Sequence, residues 1–339
     1  MPALYGEKLA EEYGEYIFSK FKELMIGRLP WEELFRPTPS DTLSILFNKS
    51  PTSVRTVLSD TGAAYAREYV PGVKIPRIRL GEGEVDQLRL RQWALGVKYT
   101  ADDIGGHSGL TLTVTDTVRE LAELIAVQMA NMYVSDGFGS FDTTSGNITT
   151  DSALASYFEH YSTLGYHNTY GYMAGEITNT YDWDASGADP LTDVLDLVTG
   201  YEDRDAYTFK LDTVLMDMWS ANHMLKFLIE SDYRHQPVPN SAFKAFTVDH
   251  VPGVTFIPLQ RVYGFPTSKH VIVGYDSSWP PVKIWRFNTS DPHFTQRDGY
   301  DIMTFYNDSE HMYYTDILVS RGIALVEPKS LVVLSTKAD

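Results

Sequence analysis

The sequence contains no cysteine, which excludes disulfides, thiolate metal sites and cysteine nucleophiles. It has no apolar run approaching the ~20 residues that span a membrane, and no positively charged start followed by an apolar stretch. We therefore expect a soluble protein with no signal peptide and no membrane partner. Positive charge is also scarce, because 28 Lys and Arg stand against 45 Asp and Glu. The resulting net charge of −17 argues against general binding of DNA or RNA through a broad basic face.

Motifs that carry catalysis are missing as well. The sequence has no G-x-S-x-G, no H-E-x-x-H, no dinucleotide-binding G-x-G-x-x-G after a strand and no kinase motifs. The nine histidines are scattered, and acidic pairs such as Asp102 with Asp103 are frequent because acids are frequent. We therefore predict that the protein is not an enzyme. An acidic carbohydrate-active enzyme or lectin stays open as an alternative, because aromatic residues make up 13% of the chain and such residues line sugar sites.

The clearest element is a helix predicted from Thr117 to Asp136. Its apolar residues recur at steps of three and four, which places them in one stripe. Thr117 followed by Glu120 is a capping-box pattern, and Gly137 ends the element. The stripe consists of Val118, Leu121, Ala122, Ile125, Met129 and Met132. We expect it to face strands that include the last twenty residues of the chain.

Residues 1–60 are predicted to form an arm. An amphipathic helix is followed by RLPWEELFRPTPS, in which three prolines surround Trp31, Leu34 and Phe35. Short elements divided by prolines do not form a core among themselves. Their apolar side chains therefore need cover from the rest of the chain or from another subunit, and we expect Trp31 and Phe35 to contact a neighbouring copy.

A long hairpin is predicted between Tyr69 and Tyr99, with its turn at residues 81–83. Apolar residues alternate there with Arg77 and Arg79 in the first strand and with Arg89 and Arg91 in the second. Four arginines are compatible with nucleic acid, but a charged outer strand face is the commoner meaning. In so acidic a protein we also consider contact with carboxylates of a neighbouring copy, made by these arginines and by Trp93.

A calcium-loop pattern lies in YDWDASGADPLTD. Asp182, Asp184, Ser186, Gly187 and Asp193 stand at positions one, three, five, six and twelve of that frame. The pattern departs from the frame, because Pro190 interrupts it, the last position is Asp rather than Glu, and no helix precedes it. The alternative is that Asp189 caps a helix that Pro190 starts. We expect no required cofactor, with Ca²⁺ or another structural cation as the possibility that the pattern leaves open.

From residue 208 onward, strands and helices alternate. The predicted strands are LDTVLMDM, VTFIPLQRV, HVIVGYDSS and PVKIWRF, and the apolar tail MYYTDILVSRGIALVEPKSLVVLS is typical of central strands. Between the first two lies a helix, WSANHMLKFLIES, with Ser220 as its predicted cap.

This order of elements resembles the major capsid proteins of tailed double-stranded DNA viruses with the Hong Kong 97-type fold, and more remotely the encapsulins. The stretches that carry the resemblance are VKIPRIRLGEGEVDQLRLRQWALGVKYTADDI as an E-loop, VRELAELIAVQMANMYVSDGFGSF as a spine helix, and LDTVLMDMWSANHMLKF as part of an A-domain. The resemblance implies an α+β fold with five parts. These are an N-terminal arm (1–60), an E-loop hairpin (61–104), a P-domain with the spine helix (105–150), an α/β A-domain (151–318) and a return to the P-domain (319–339).

The resemblance also implies a function. It is that of a shell subunit of a bacteriophage or archaeal virus, forming hexamers and pentamers of an icosahedral head that encloses genomic DNA without reading its sequence. Expected partners are a portal, a scaffold or protease and cement proteins. The expected location is the virion capsid, assembled in the host cytoplasm, and an encapsulin-like nanocompartment is the near alternative.

Overall fold

A computed structural model describes residues 2–26, 28–49, 84–100, 102–104, 112–133, 182–204, 210–239, 241, 243–260, 270–297, 299–327 and 330–337. The helices in these ranges are α1 (Pro2–Ile26), α2 (Pro30–Leu34), α3 (Leu112–Met132), α4 (Pro190–Arg204) and α5 (Met218–Glu230), with a 3₁₀ turn at Asp102–Ile104. No helix in the described ranges is long and apolar enough to cross a membrane.

Fourteen strands lie in the described part of the chain. They are β1 (Thr38–Ser40), β2 (Ser44–Lys49), β3 (Glu84–Arg89), β4 (Arg91–Tyr99), β5 (Thr213–Asp217), β6 (His235–Pro237), β7 (Phe246–Val248), β8 (Thr255–Leu259), β9 (His270–Tyr275), β10 (Val282–Phe287), β11 (Thr295–Arg297), β12 (Tyr300–Asn307), β13 (Met312–Leu325) and β14 (Leu331–Lys337).

The first sheet is built around β13, its longest strand. Its order is β1-β10-β13-β12-β11, and β4 also pairs with β13 in antiparallel register, with Val97 opposite Thr315. Alternation along β10 separates the two faces of this sheet. Ile284 belongs to the main apolar core with α1 and α3, whereas Trp285 belongs to a small cluster with β2 and β3. The helices therefore cover one face, and the two-stranded ribbon β2–β3 covers part of the other.

The second sheet has the order β14-β9-β5-β8-β7-β6. Every residue of β5 is buried, as expected for a central strand. Helices α4 and α5 pack on this sheet through a second apolar core that includes Val194, Leu197, Met224 and Leu228. The start of α5 differs from our prediction, because Asp217 rather than Ser220 is the N-cap and accepts from the backbone N–H groups of Trp219 and Ser220.

The apolar stripe predicted for the central helix is confirmed, and its start is corrected. All six stripe residues are buried in the main core. However, α3 begins at Leu112, and the Thr117 hydroxyl donates to the Thr113 carbonyl from within the helix, so the predicted capping box is wrong. Ile323, Leu325 and Leu331, near the end of the chain, lie in the same main apolar core as α3, as predicted. Helix α1 also packs against α3, which we did not predict.

Strands from one predicted part of the chain pair with strands from another. Strands β10 to β12, which fall within 151–318, pair in the first sheet, and β14, which falls within 319–339, closes the second sheet against β9. The predicted hairpin also changes, because its second strand is two strands joined at the buried Leu90. β3 pairs with β2 from the arm, and β4 pairs with β13. The first predicted strand and the turn at 81–83 lie outside the described residues.

Candidate assembly surfaces

The N-terminal arm docks on the helical face of the first sheet. Its helix α1 packs against α3, β12 and β13, and the buried side chains of α1 enter the main core. Gly14 permits this close approach, because a Cβ atom there would lie only 2.0 Å from Thr304 Cγ2 on β12. An ion pair of 3.0 Å between Arg28 and Glu123 of α3 adds a polar contact at the end of the helix. The α1 side chains in the core are Ala10, Ile17, Phe18, Phe21 and Met25.

We expect Gly14→Ala to destabilise the protein by up to about 2 kcal/mol. Alanine favours a helix over glycine by about 1 kcal/mol, but forcing a methyl group into this contact costs about 1–3 kcal/mol, so the clash outweighs the helix propensity. Urea unfolding measures the change. Thr304→Ser removes the clashing methyl carbon, so the double variant should regain most of the loss. A Gly14→Ala variant as stable as the parent would mean that α1 does not sit this close to β12.

Trp31 and Phe35, for which we predicted contact with a neighbouring copy, lie in this docking surface of their own chain. Trp31 is fully buried and Phe35 is 5% exposed, and both lie in the core of their own chain. Their rings stack with centroids 6.3 Å apart, and Phe35 also contacts Tyr275 of β9. Both side chains are therefore covered by the body of their own chain.

A buried ion pair fixes the arm next to these aromatic rings. Arg321 of β13 is 1% exposed, and its Nε donates to Glu32 Oε1 of α2 at 2.7 Å. Its Nη1 donates to the carbonyls of Gly299 and Ser320, and its guanidinium lies 5.1 Å from the Tyr300 ring centroid. The Tyr133 hydroxyl, just after α3, donates to the same Glu32 oxygen at 2.6 Å. We call Glu32, Tyr133, Tyr300 and Arg321 the arm latch.

Burial and neighbouring charges shift the pKa values of the groups in the arm latch. Burial is the largest single influence on the pKa of Arg321 and works to lower it, but Glu32, Tyr133 and Tyr300 together outweigh burial, and the pKa is raised above its ordinary value. Burial raises the pKa of Tyr300 to about 12, partly offset by Arg321. The pKa of Tyr133 is also raised well above its ordinary value, first by burial and then by Glu32. The latch is therefore a charged pair held between neutral tyrosines at ordinary pH.

The free energy of unfolding should fall as pH rises from about 10 toward about 12. Tyr300 and Tyr99 keep their protons up to about pH 12 in the native state, again because of burial, while unfolded tyrosines lose theirs near pH 10. The native state then binds more protons than the unfolded state, so stability declines with pH, by about 1.4 kcal/mol per unit for each such tyrosine. Urea unfolding at several pH values measures the slope. Tyr300→Phe should reduce it, and an unchanged slope in that variant would refute this assignment.

The β2–β3 ribbon covers part of the opposite face of the sheet. Its inner side packs on Trp285, with Phe47 at a centroid distance of 5.7 Å. Gly322 lets the ribbon base approach, since a Cβ there would lie 2.4 Å from Leu90 Cδ2. On the outer side, Leu46 is 72% exposed.

The arginines predicted for intersubunit contact are placed only in part. Arg89 at the end of β3 and Arg91 at the start of β4 are exposed near the ribbon. Arg77 and Arg79 lie outside the described residues. Trp93 is half-buried and packs against the main core of its own chain. Contact of these residues with a neighbouring copy stays a prediction.

The residues of the calcium-loop pattern are not brought together as a set of ligands. The Asp193 carboxylate is 3% exposed and accepts from Trp183 Nε1 at 2.7 Å. The alternative prediction is confirmed, because Asp189 accepts from the Thr192 backbone N–H at 3.0 Å and α4 starts at Pro190. Across the described ranges, no three His, Asp or Glu side chains group as metal ligands. Asp182, Asp184 and Ser186 lie in the turn before the helix.

One polar cluster was not predicted from the sequence. It joins Asp217, Trp219, Ser220, His270 and Thr336, which come from the end of β5, the first turn of α5, β9 and β14. The only local signal for it was the aspartate before a helix start, and no sequence pattern links that aspartate to His270 or Thr336.

Comparison with known proteins identifies the fold. No family model and no curated protein matches the sequence. Among solved structures, the chain is similar to that of the holo-SrpI encapsulin complex from Synechococcus elongatus PCC 7942, with a TM-score of 0.53, 11% identity and coverage of 91% of this chain and 87% of that chain. It is also similar to the virus-like particle from Pyrococcus furiosus, with a TM-score of 0.51, 9% identity and coverage of 95% and 99%. A third similar chain is from Microbacterium phage Oxtober96, with a TM-score of 0.52, 10% identity and coverage of 92% and 91%.

The chain has the Hong Kong 97-type fold. This confirms the fold predicted from the order of elements. At 9 to 11% identity the likeness concerns the course of the backbone. The arm latch and the polar cluster are therefore properties of this chain's own side chains within the Hong Kong 97-type fold.

Proposed function

We propose that this protein is a shell subunit, the major capsid protein of a tailed virus, which self-assembles into an icosahedral head around double-stranded DNA. The observation that carries the proposal is the Hong Kong 97-type fold, found over more than nine tenths of the chain in comparison with a virus-like particle and a phage protein. The role is structural rather than catalytic. A polysaccharide-binding panel tests the carbohydrate alternative, which would require binding by a monomer.

Each part of the fold takes a role in this proposal. The first sheet with α3 is the P-domain and its spine, the second sheet with α4 and α5 is the A-domain, and α1 and α2 are the arm. The ribbon β2–β3 is part of the E-loop that lies over a neighbouring copy. The exposed Leu46 and the exposed Arg89 support this part of the proposal, because one offers apolar area and the other offers charge to a strongly acidic neighbour.

An encapsulin-like nanocompartment is the second candidate, supported by the likeness to the SrpI encapsulin complex. Electron microscopy of protein purified from its expressing cells separates the two when combined with analysis of the contents. Shells that carry a protected genome or package DNA with a portal support the capsid. Closed shells that retain a protein cargo support the encapsulin. Monomers across all salt concentrations would refute both.

Assembly should weaken at low ionic strength. Copies that each carry a charge of −17 repel one another, and the screening length grows from about 3 Å at 1 M salt to about 30 Å at 0.01 M. Light scattering across this range measures the assembled fraction. Equal assembly at both extremes would count against repulsion as the limiting factor.

The ribbon provides a test of the interface. Leu46→Asp should lower the assembled fraction at least tenfold while leaving the unfolding of the free subunit within about 0.5 kcal/mol, because the side chain is exposed in the single chain. Leu124→Asp is the matched control, since Leu124 is an exposed leucine on α3, on the other face of the sheet. If Leu46→Asp assembles as well as Leu124→Asp, the ribbon is not part of the subunit interface.

A further inference from the structure

The chain crosses from one face of the first sheet to the other between the arm latch and the ribbon. Glu32 of α2 binds Arg321 on the helical face. β1 follows at the end of the sheet, where it pairs in parallel with β10. β2 then lies on the opposite face, where Phe47 packs on Trp285. The arm and the ribbon are therefore consecutive parts of one segment that passes around the edge of the sheet.

The strand at this edge has few contacts of its own. β1 is three residues long, and none of them is buried. Its register places Pro39 opposite Arg286 of β10, and Arg286 stands opposite Arg321 of β13. β1 is therefore separated from the arginine of the arm latch by β10 alone. A strand with so few buried contacts opens at a low free energy unless the segments on either side fix it.

The link from the arm to β1 is short and stiff. It consists of residues 35–37, of which Phe35 is itself buried in the main core. A link of this length spans at most about 14 Å between the elements that it joins. Pro37 and Pro39 fix their own φ angles and favour an extended conformation at the residues before them. A displacement of the arm is therefore transmitted to β1.

The link from β1 to the ribbon is equally short, and hydrogen bonds order it. It consists of residues 41–43. The Ser40 hydroxyl donates to the Thr42 carbonyl at 2.8 Å and accepts from the Thr42 backbone N–H at 3.2 Å. The Leu43 carbonyl accepts from the Leu90 backbone N–H at 2.8 Å. This last bond joins the link to the base of the ribbon, so β1 and the ribbon move together.

The apolar contact between the ribbon and the sheet is small. The cluster beneath the ribbon has three buried residues, which are Leu90, Trp285 and Ala324. The ribbon side chains that pack on it are only partly buried, namely Leu43, Ile45, Phe47 and Leu88. Partly buried side chains remove less apolar area from water than core residues do. The attachments at the ends of the ribbon therefore supply a large share of the free energy that keeps it on the sheet.

We propose that residues 35–43 form a strap that couples the arm to the ribbon, so that release of the arm latch loosens the ribbon on the opposite face of the sheet. The coupling is reciprocal, because two events that share one coupling free energy affect each other equally. A ribbon lifted from the sheet therefore weakens the docking of the arm. All of these contacts lie within one chain, so the proposal does not rest on the shell function.

Hydrogen exchange of the dissociated subunit, measured by mass spectrometry, tests the coupling. Glu32→Ala should raise exchange in β2 and β3 at least about tenfold more than in β5 and β8 of the second sheet, which serve as the internal reference. Glu33→Ala is the matched control, because Glu33 is the exposed neighbour, and it should leave exchange in the ribbon unchanged. If Glu32→Ala loosens α1 and α2 while the ribbon stays at the level of the reference, the proposal is wrong.

A milder variant decides the question if Glu32→Ala unfolds the whole subunit. Tyr133→Phe removes one donor to Glu32 and keeps the ion pair with Arg321. It should raise exchange in the ribbon more than in the second sheet. Exchange in the ribbon at the level of the parent protein would contradict the coupling.

An insertion in the strap separates the coupling from a general loss of stability. A flexible segment of about six Gly and Ser residues inserted after Ser40 lengthens the second link. In this background, Glu32→Ala should no longer change exchange in the ribbon. The same segment inserted after Ser309, in the exposed turn between β12 and β13, is the control and should leave the effect of Glu32→Ala intact. If both backgrounds respond alike, the strap does not carry the coupling.

Discussion

Replacing Glu32 with alanine is expected to lower the free energy of unfolding by about 3–5 kcal/mol. The loss is large because Arg321 stays positively charged at 1% exposure, without a carboxylate to compensate it. The Tyr133 hydroxyl also loses its acceptor. Urea unfolding at a fixed protein concentration measures the difference, since assembly would otherwise shift the apparent stability.

Two further variants test whether the loss of stability comes from leaving the Arg321 charge uncompensated. Glu33→Ala removes the neighbouring carboxylate, which is exposed, and should change stability by no more than about 0.5 kcal/mol. The double variant Glu32→Gln with Arg321→Met removes both charges and should recover much of the loss, because no uncompensated charge then stays buried. A loss below about 1 kcal/mol in Glu32→Ala would show that the latch does not hold the arm.

Elements with strong local patterns were predicted well from the sequence. The buried stripe of α3 follows from residues three and four apart, and β5, β8, β9 and β10 are marked by apolar β-branched runs between Gly and Pro. The helix start at Pro190 follows from its preceding aspartate. In each case the physical cause lies within a few residues, so no knowledge of the rest of the chain is needed.

Features that depend on distant residues were missed. Glu32 and Arg321 are 289 residues apart in the chain, and neither stands in a pattern that marks it as buried. The arginine is instead buried because β13 places it between Val319 and Ile323 on the helical face of the sheet, where the arm then covers it. The burial of side chains on β12 likewise depends on a distant part of the fold, because pairing with β13 fixes which face of the sheet each side chain lies on.

The exchange of strands between the sheets has a similar cause. The apolar tail contains two strands rich in aliphatic residues, β13 and β14, and this shared character does not assign them to different sheets. Their register with β4 and β9 does so. The fold class was therefore predictable from the order of elements, whereas the division of strands between the two sheets was not.

Trp31→Ala is expected to destabilise the single chain by about 3–5 kcal/mol. Trp31 is fully buried in the main core and stacks on Phe35, so truncation loses transfer free energy and leaves a cavity beneath the arm. Because the side chain is covered by its own chain, the loss should not depend on protein concentration. Urea unfolding at two concentrations tenfold apart, under conditions that keep the subunits dissociated, measures both quantities.

The exposed Trp279, in the turn between β9 and β10, is the matched control for this variant. It is 56% exposed, so Trp279→Ala should cost far less than Trp31→Ala. If Trp31 instead anchored the arm on a neighbouring copy, Trp31→Ala would leave the dissociated subunit nearly as stable as the parent and would impair assembly alone. A small loss in the dissociated state would therefore return Trp31 to the subunit interface, whereas a large and concentration-independent loss places the arm on its own chain before any shell forms.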